Sequence, residues 1–508
     1  MTDSWAIWTR HRAEAWRGFK GGLSSGAVLI AVMYLLGPLT SFKALPQLLQ
    51  QPILNAMPGF VFGFLIDRLQ HLGKVLEELS LILTMLALLG ILGSFYGVFR
   101  GRWPHLPIHL AIAAAAWLVV TIGVLPAGGE GWLGLNDGPT VPIIWAILLL
   151  GYSLILRAAC TNWITANESP ADPSRRRVLS FLPLGLGAIG IGVTATYLVP
   201  GWLKSVVSPP ESLAAGRPPA LTPASQFYVV SKNFQDPVVS AAGWKLQIKG
   251  LVDIPQALSL ESLLSLPSRS ETVTLECISN NVGGSLLSTG RFGGIALSDL
   301  VAMASPKATA TAVAFTARDG FTESLDLSTV MADPTILVAY SLDDAPLPDA
   351  HGFPARMIIP GRYGMKGPKW LDSIELTVGT QGGYWEGQGW DGTVSVHTTS
   401  RFDLPHDGDL IPLGPIALGG VAFAGTRGIS AVEYSVDGRT WTDATLDTPL
   451  SAQSWVLWNA TWNPLQAGSY TLRVRARDGA GAVQTGASAP SFPNGATGYH
   501  SIGISVTT

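Results

Sequence analysis

Long apolar runs, nearly all of them before Leu203, constrain the fold of this chain more than any other feature. A helix needs about 20 apolar residues to span the hydrocarbon core of a bilayer, and these runs have that length. The residues after Leu203 have the composition of a soluble protein, so we expect a membrane part and a soluble part within the 508 residues. The formal net charge of -3 gives no indication of nucleic acid binding.

Five segments are apolar enough to cross the bilayer, and they predict an all-α transmembrane bundle in residues 1–203. The predicted spans are 22–42, 79–96, 109–126, 141–156 and 181–199. A sixth apolar stretch, 45–69, contains prolines and glutamines that are costly in lipid. We therefore interpret residues 45–69 as an interfacial or re-entrant element.

The distribution of basic residues predicts which loops face the cytoplasm. Arginines at positions 100, 102, 157 and 175–177 lie in two of the connections, whereas the loop 127–140 has acidic residues and neither lysine nor arginine. By the positive-inside rule, the N-terminus is cytoplasmic and the chain after residue 199 lies outside. The sequence therefore predicts a multi-pass protein of the cell membrane whose soluble part is extracytoplasmic.

Residues 174–179, SRRRVL, precede the last predicted span and allow two interpretations. They match a twin-arginine export signal. They equally match a basic anchor for the fifth helix.

Haem is not expected in the helices. A bis-histidine haem needs two histidines that face each other at membrane depth. Only His109 begins a predicted span, while His71 and His105 lie in connections. We therefore interpret the helices as an anchor.

The stretch 272–284, TVTLECISNNVGG, places a cysteine at the boundary between a strand and a loop. TVTLEC is rich in β-branched residues, and the asparagines and paired glycines after it predict a flexible loop. A reactive side chain suits this boundary, because the strand aims it and the loop leaves room for a ligand. The other cysteine, Cys160, follows a predicted span, so we expect no disulfide and interpret Cys277 as a free thiol or a metal ligand. A buried cysteine that packs as a small hydrophobic residue explains the local sequence equally well.

The soluble part divides into a linker and two predicted domains. Residues 204–226 are rich in proline, serine and alanine, which is typical of a tether. Residues 227–409 mix short strands, short helices and glycines, which favours an α+β domain. Residues 410–508 contain alternating strands that end in Asp-Gly turns, at 431–438 and 470–479, which favours an immunoglobulin-like β-sandwich.

Several motifs in a fixed order carry a resemblance to a known family. FYVVSKN begins at Phe227, TLECISN contains Cys277, and TGRFGG follows at 289–294. The most specific part is HGFPAR at 351–356 with KWL at 369–371. This set resembles the sulfite oxidase family of molybdopterin enzymes across 227–508, and within it the bacterial membrane-tethered members.

The resemblance implies a molybdenum–molybdopterin cofactor and residues that hold it. Cys277 would be the thiolate ligand of molybdenum, which suits a soft metal. His351 and Arg356 match positions that hold the pterin and its phosphate, and a guanidinium forms forked bonds to phosphate. Further cofactor-binding positions that the resemblance implies are Lys232, Asn233, Asp319, Lys366 and Lys369.

Departures from the family pattern concern the substrate pocket. The family gathers arginines around the metal to hold a doubly charged oxyanion. The matching positions here carry neutral side chains, at Val230 or Ser231, Val282 and Ser501. The family's active-site tyrosine corresponds to Trp390, and Arg291 matches an arginine that the family keeps near the cofactor. We therefore count Trp390 and Arg291 with Cys277 as catalytic candidates, and we expect sulfite to bind poorly.

The favoured hypothesis is a membrane-anchored molybdenum oxidoreductase that transfers an oxo group to or from a small, sulfur-containing substrate. Electrons would pass through an external carrier such as a cytochrome, and the likeness of the C-terminal domain to the dimerisation domain of sulfite oxidases implies a homodimer. One alternative is a reductase of an oxidised sulfur compound such as a sulfoxide, which needs fewer cations around the metal. Another is a non-enzymatic envelope binding module with a decayed cofactor site. Retention of Cys277, His351 and Arg356 favours an enzyme over the binding module.

Overall fold

The computed structural model describes residues 2–37, 42–57, 59–103, 106–168, 185, 188–196, 198, 216–233 and 236–508. The chain divides into two compact units. The helical unit comprises Met1–Met57 and Leu69–Ser208, and the β-rich unit comprises Pro58–Arg68 and Pro209–Thr508.

The N-terminal part of the chain is helical, as its apolar runs predict. Its helices are α1 Thr2–Leu36, α2 Leu45–Ala56, α3 Gly59–Arg102, α4 Ile108–Leu118, α5 Leu125–Ala127 and α6 Thr140–Glu168. A π-helical turn, Val119–Val124, joins α4 to α5. Large side chains such as Met33, Trp145 and Tyr152 are almost fully buried between the helices.

Four helical stretches among the described residues are long and apolar enough to cross a membrane. They are His11–Leu36, Val75–Arg100, Ile108–Ala127 and Thr140–Cys160, and they correspond to the first four predicted spans. The fifth predicted span, 181–199, is described only at 185, 188–196 and 198. The SRRRVL motif at 174–179 lies outside the described residues.

Two boundaries differ from the sequence prediction. The first apolar helix ends at Leu36 rather than at residue 42, because the residue before a proline is disfavoured in a helix and Pro38 follows closely in the sequence. Residues 45–69 do not form one separate element, since α2 ends at Ala56 and α3 begins at Gly59 and continues into the second span.

The first part of the β-rich unit contains two sheets and short helices, in agreement with the predicted α+β mixture. Its strands are β1 Lys245–Gly250, β2 Gln256–Ser259, β3 Arg269–Glu276, β4 Leu287–Ala296, β5 Ala312–Ala317, β6 Thr322–Asp326, β7 Leu337–Leu342, β8 Ala345–Pro346, β9 Arg356–Ile358 and β10 Leu371–Thr377. One sheet has the order β2-β1-β10-β5-β6, and the other has the order β3-β4-β7-β8 with β9 paired to β7. The helices among them are Leu260–Leu264, Leu297–Met303, Leu327–Ala332 and Tyr384–Gly387.

One apolar core joins these two sheets. It includes Leu246 and Phe315 from the first sheet and Ile295, Val338 and Met357 from the second. Each of these side chains is at most 1% exposed, so the second sheet, which carries β3 and β9, is held on one side by a rigid layer.

The last part of the chain is a sandwich of two sheets. Its strands are β11 Thr399–Leu404, β12 Leu410–Pro412, β13 Ile416–Phe423, β14 Ile429–Ser435, β15 Thr442–Asp443, β16 Thr445–Leu446, β17 Val456–Trp462, β18 Gly468–Asp478 and β19 His500–Thr507. The sheet orders are β11-β13-β17-β16 and β12-β19-β18-β14-β15. Phe402 and Trp458 from one sheet pack with Leu472 and Ile504 from the other. The predicted strands at 431–438 and 470–479 correspond to β14 and β18, whereas the immunoglobulin-like assignment stays a prediction.

Candidate active site

One cavity in the β-rich unit brings together most of the residues that the sequence predicts for the cofactor. The cavity contains about 880 Å³ of space between atoms, a figure that includes open solvent at its mouth. The predicted residues that line it are Lys232, Cys277, Asp319, His351, Arg356, Lys369 and Trp390.

Cys277 follows the last residue of β3, and backbone hydrogen bonds fix the start of its loop. The Cys277 amide donates to the carbonyl of Leu286 (3.0 Å), and the Asn280 amide donates to the carbonyl of Cys277 (2.9 Å). The Asn280 side chain donates from Nδ2 to Glu276 Oε1 (2.9 Å) and accepts from the Leu286 amide at Oδ1 (3.0 Å). The thiol is therefore presented by a loop that is pinned on both sides of it.

The environment of Cys277 suits a metal ligand. Its side chain is buried, lies 3.1 Å from the hydroxyl oxygen of Ser279, and forms no disulfide, and Cys160 is also a free cysteine. Burial raises the pKa of the Cys277 thiol above its ordinary value. A bound metal ion deprotonates a coordinating thiol, so a metal would supply the charge that favours the thiolate.

Arg356, the first residue of β9, carries a buried guanidinium that the protein only partly satisfies. Its Nη1 donates to the carbonyl of His351 (3.3 Å), and its Cζ lies 5.9 Å from the ring centre of Phe292. Its Nε is buried and has no hydrogen-bond partner among the described residues. Burial lowers the pKa of Arg356 to about 10. A buried cationic donor with this geometry fits an anionic group such as the phosphate of molybdopterin.

His351 and Lys369 lie beside Arg356 because the chain approaches itself closely at Gly352. Gly352 has φ +105°, and a Cβ at this position would be 2.9 Å from the Cβ of Lys369, so only glycine allows the contact. Lys369 Nζ donates to the carbonyl of Ala350 (2.9 Å). Burial, reinforced by the Arg356 and Lys369 charges, lowers the pKa of His351 to about 4, which keeps its ring neutral near pH 7. Arg356 and Lys369 therefore carry the positive charge on this side of the cavity.

Lys232, Asn233 and Asp319 form a second polar group at the cavity. Lys232 Nζ donates to the backbone carbonyl of Asp319 (2.8 Å), and Asn233 Nδ2 donates to Asp319 Oδ2 (2.9 Å). Lys232 Nζ also lies 5.2 Å from the ring centre of Tyr384. Lys232 and Asp319 line the cavity, whereas Asn233 supports them without lining it.

The structure does not place two predicted site residues at the cavity. Lys366 is buried and donates to Glu323 (2.5 Å) and to Glu386 (2.7 Å). Arg291 is the one exposed residue within the otherwise largely buried strand β4, where it pairs with Asp344. Because side chains alternate between the two faces of a strand, the neighbours of Arg291 point inward and Arg291 points to the surface. Arg291 therefore lies outside the residues that line the cavity, and its role near the cofactor stays a prediction.

Apart from the polar residues already described, the lining of the cavity is aromatic and largely uncharged. Val230 and Ser231 line it, whereas Val282 and Ser501 do not. The aromatic residues that line it include Tyr228, Phe321, Trp385 and Trp390. Of these four aromatic residues, the sequence motifs predicted only Trp390 as a site residue. The signal for Tyr228 was its place next to Phe227 in the FYVVSKN motif.

The sequence matches the family model of the oxidoreductase molybdopterin binding domain at residues 233–385. Mitochondrial sulfite oxidase of Macaca fascicularis is 30% identical over 424 residues, covering 73% of this chain and 75% of that protein. YedZ1 of Azospira oryzae, a candidate subunit of a protein-methionine-sulfoxide reductase, is 29% identical over 153 residues, covering 30% of this chain and 56% of that protein.

Among solved structures, the sulfane dehydrogenase SoxCD of Paracoccus pantotrophus has a similar fold. The match has a TM-score of 0.50 with 21% identity and covers 58% of this chain and 84% of that chain.

The chain therefore belongs to the sulfite oxidase family of molybdopterin-dependent oxidoreductases. The resemblance predicted from the sequence motifs is confirmed. Membership implies a molybdenum–molybdopterin cofactor, a small-molecule substrate and an electron-carrier partner, and the buried donor of Arg356 fits that cofactor.

Proposed function

We propose that this chain is a membrane-anchored molybdenum oxidoreductase that transfers an oxygen atom to or from a small sulfur compound at an extracytoplasmic site. One observation carries the proposal. A single cavity holds the buried thiol of Cys277 together with the buried guanidinium of Arg356, whose Nε has no partner among the described residues. A thiol ligand and an anion site in one cavity are what a phosphate-bearing metal cofactor requires.

The residues of the cavity have separable roles in this proposal. The bound cofactor would supply a metal that gives or accepts an oxygen atom with a change of two electrons. Cys277 would hold the metal at the end of β3. Arg356 and Lys369 would offset the phosphate charge, and His351 would offer a neutral ring for hydrogen bonding. The aromatic residues, including Trp385 and Trp390, would exclude water from the substrate, which strengthens the remaining polar contacts.

Reduction of an uncharged oxidised sulfur compound, such as a sulfoxide, is the second candidate reaction. The observation that favours it is the proposed substrate side of the cavity, where either Val230 or Ser231, both neutral, matches a sulfite-binding arginine of the family. Each charge-assisted hydrogen bond is worth about 1.5–3 kcal/mol. Without cationic donors, a doubly charged substrate therefore loses more binding free energy than a neutral substrate does. The likeness to a candidate methionine-sulfoxide reductase subunit also supports a reduction reaction.

Metal analysis and one substitution test the proposal. The full-length protein, purified in detergent from a host that makes molybdopterin, should contain molybdenum. Cys277→Ser should abolish dye-linked turnover and leave the fold and the pterin in place. Cys160→Ser is the matched control, because Cys160 is also buried and free but belongs to the helical unit. Wild-type protein without molybdenum, or full turnover by Cys277→Ser, would contradict the proposal.

A substrate screen separates the two candidate reactions. Steady-state rates should be measured with sulfite, dimethyl sulfoxide and methionine sulfoxide and a dye as electron donor or acceptor. We expect weak use of sulfite, since the substrate side is neutral. A micromolar Michaelis constant for sulfite, inside the usual range for enzymes, would show that the cavity holds the dianion after all.

The proposed location can be tested with a single accessible thiol. Both native cysteines are buried, and Leu465 in the β-rich unit is 97% exposed. A membrane-impermeant maleimide should therefore label Leu465→Cys in intact spheroplasts, with the unsubstituted protein as control. Labelling that requires lysis would place this unit in the cytoplasm.

We further propose that electrons pass to or from a separate carrier such as a cytochrome. A homodimer through the C-terminal sandwich is a proposal that rests on the likeness of this domain to the dimerisation domain of sulfite oxidases. Measurement of the mass of the detergent-solubilised protein by light scattering tests the dimer.

A further inference from the structure

Tyr228 places a phenol hydroxyl beside the end of β3. Its backbone amide donates to the hydroxyl oxygen of Ser288 (3.1 Å), which fixes the segment. A Cβ on Gly364 would be 2.7 Å from the Tyr228 hydroxyl oxygen and 3.5 Å from the carbonyl oxygen of Glu276, the residue before Cys277. Glycine at position 364 thus leaves the space that the hydroxyl occupies.

The hydroxyl of Tyr228 forms no hydrogen bond with any residue in the described ranges. Tyr228 is half-buried, and a tyrosine hydroxyl that becomes buried usually finds a hydrogen-bond partner. The ring of Tyr228 lines the cavity, and its charged or polar neighbours include Cys277 and Arg356. The hydroxyl is therefore a donor that a ligand in the cavity can satisfy.

The lining of the cavity as a whole indicates which ligand group fits. Phe321, Trp385 and Trp390 supply apolar surface, and Val230 adds an aliphatic side chain. A neutral donor in a cavity that also has this much apolar lining suits one oxygen acceptor on an otherwise apolar molecule. A sulfite dianion needs several cationic donors, whereas a sulfoxide offers one S–O oxygen and two carbon substituents.

We infer that Tyr228 donates the hydrogen bond that positions the S–O oxygen of an uncharged organosulfur substrate beside Cys277, with Gly364 providing the space for its hydroxyl. This inference rests on the proposed function of the same cavity and names its specificity-determining residue. Tyr228 keeps its proton in this role, so it binds and orients the substrate and takes no part in proton transfer.

The test uses the purified full-length holoenzyme and methyl phenyl sulfoxide with a reduced viologen dye. Tyr228→Phe should lower kcat/KM about 10–100-fold, the effect expected when the substrate oxygen is left without a hydrogen-bond donor in the cavity. Its molybdenum content should equal that of the wild type. Gly364→Ala should have a similar effect, because the new methyl group displaces the hydroxyl.

Tyr363→Phe is the matched control. Tyr363 is a buried tyrosine, but its hydroxyl oxygen accepts from the His397 amide (3.2 Å) and it does not line the cavity. We expect its kcat/KM to stay within about threefold of the wild type, since it loses one hydrogen bond away from the substrate.

The outcomes distinguish failure of the inference from failure of the proposed function. Wild-type protein without molybdenum, or without turnover of any sulfur compound, would overturn the proposed function. Active wild type with unchanged kcat/KM in Tyr228→Phe would overturn the role of Tyr228 alone. Loss of molybdenum from Tyr228→Phe would assign the hydroxyl to the cofactor and would also overturn it.

Discussion

Replacing Arg356 with methionine should stabilise the protein that lacks cofactor and at the same time weaken cofactor binding. Arg356 is only 6% exposed, and burial lowers its pKa to about 10. Each pKa unit corresponds to about 1.4 kcal/mol, so the shift represents about 3 kcal/mol against the charged form. Methionine has a similar length and carries no charge, and it removes this cost.

The expected gain is smaller than the full cost of burying the charge. The Nη1 bond to the carbonyl of His351 is lost, and the ring of Phe292 loses its cationic neighbour. We therefore expect Arg356→Met to stabilise the cofactor-free protein by about 1–3 kcal/mol, as in other replacements of poorly compensated buried charges. In the cofactor-loaded protein, we expect the wild type to be more stable than Arg356→Met, because the variant lacks the contact with the phosphate.

The assay compares thermal unfolding and molybdenum content in hosts with and without molybdopterin synthesis. Arg401→Met is the matched control, because Arg401 is also buried but donates to Asp403 (2.9 Å) and to the carbonyl of Gly284 (2.7 Å). That substitution should destabilise the protein, by about 3–5 kcal/mol, with or without cofactor. Cofactor-free Arg356→Met that is less stable than the wild type would refute the reasoning, and undiminished molybdenum would exclude a phosphate contact.

Burial lowers the pKa of His500 to about 4, and its Nδ1 accepts from the Phe402 amide (3.0 Å), so the fold favours the neutral ring. Stability should therefore be full above pH 6.5 and fall by up to about 3 kcal/mol as the pH drops towards 4, and His500→Gln should flatten this slope in denaturant titrations. Lys366→Met should destabilise the fold by about 2–4 kcal/mol, because it leaves the buried Glu323 without its cation. Adding Glu323→Gln to this variant should restore part of the lost stability. Equal stabilities of the wild type, the single variant and the double variant would exclude a contribution from the ion pair. Val230→Arg should raise kcat/KM for sulfite at least tenfold, since a cation at the cavity adds a charge-assisted bond, and an unchanged value would show that position 230 does not contact substrate.

Local sequence was sufficient to predict the position of the thiol. A β-branched run followed by asparagines and glycines defines where β3 ends, and Cys277 follows at that point. The HGFPAR motif likewise predicted that His351 and Arg356 share a site, because Gly352 has a positive φ and brings Lys369 close to them. Short segments and one glycine thus determine where these residues lie, whereas their roles toward the cofactor stay predictions.

Residues whose partners are distant in sequence were harder to place. Lys366 binds Glu323 and Glu386, which are 43 and 20 positions away, and no local pattern predicts that pairing. Arg291 pairs with Asp344 across 53 positions. A lysine or arginine in a matching motif thus indicates the right loop, but the strand register and the distant acids decide which way the side chain points.

The two sides of the cavity come from different parts of the chain. The proposed cofactor side includes a phosphate-binding group, His351, Arg356 and Lys369, which lies within one short stretch that contains β9. The substrate side uses Tyr228, before β1, and Trp390, after β10. Because the segments are separate, a change on the substrate side leaves the guanidinium and the lysine of the cofactor side in place. A neutral aromatic substrate side is therefore compatible with full cofactor binding, and the retained cofactor residues by themselves do not imply sulfite as the substrate.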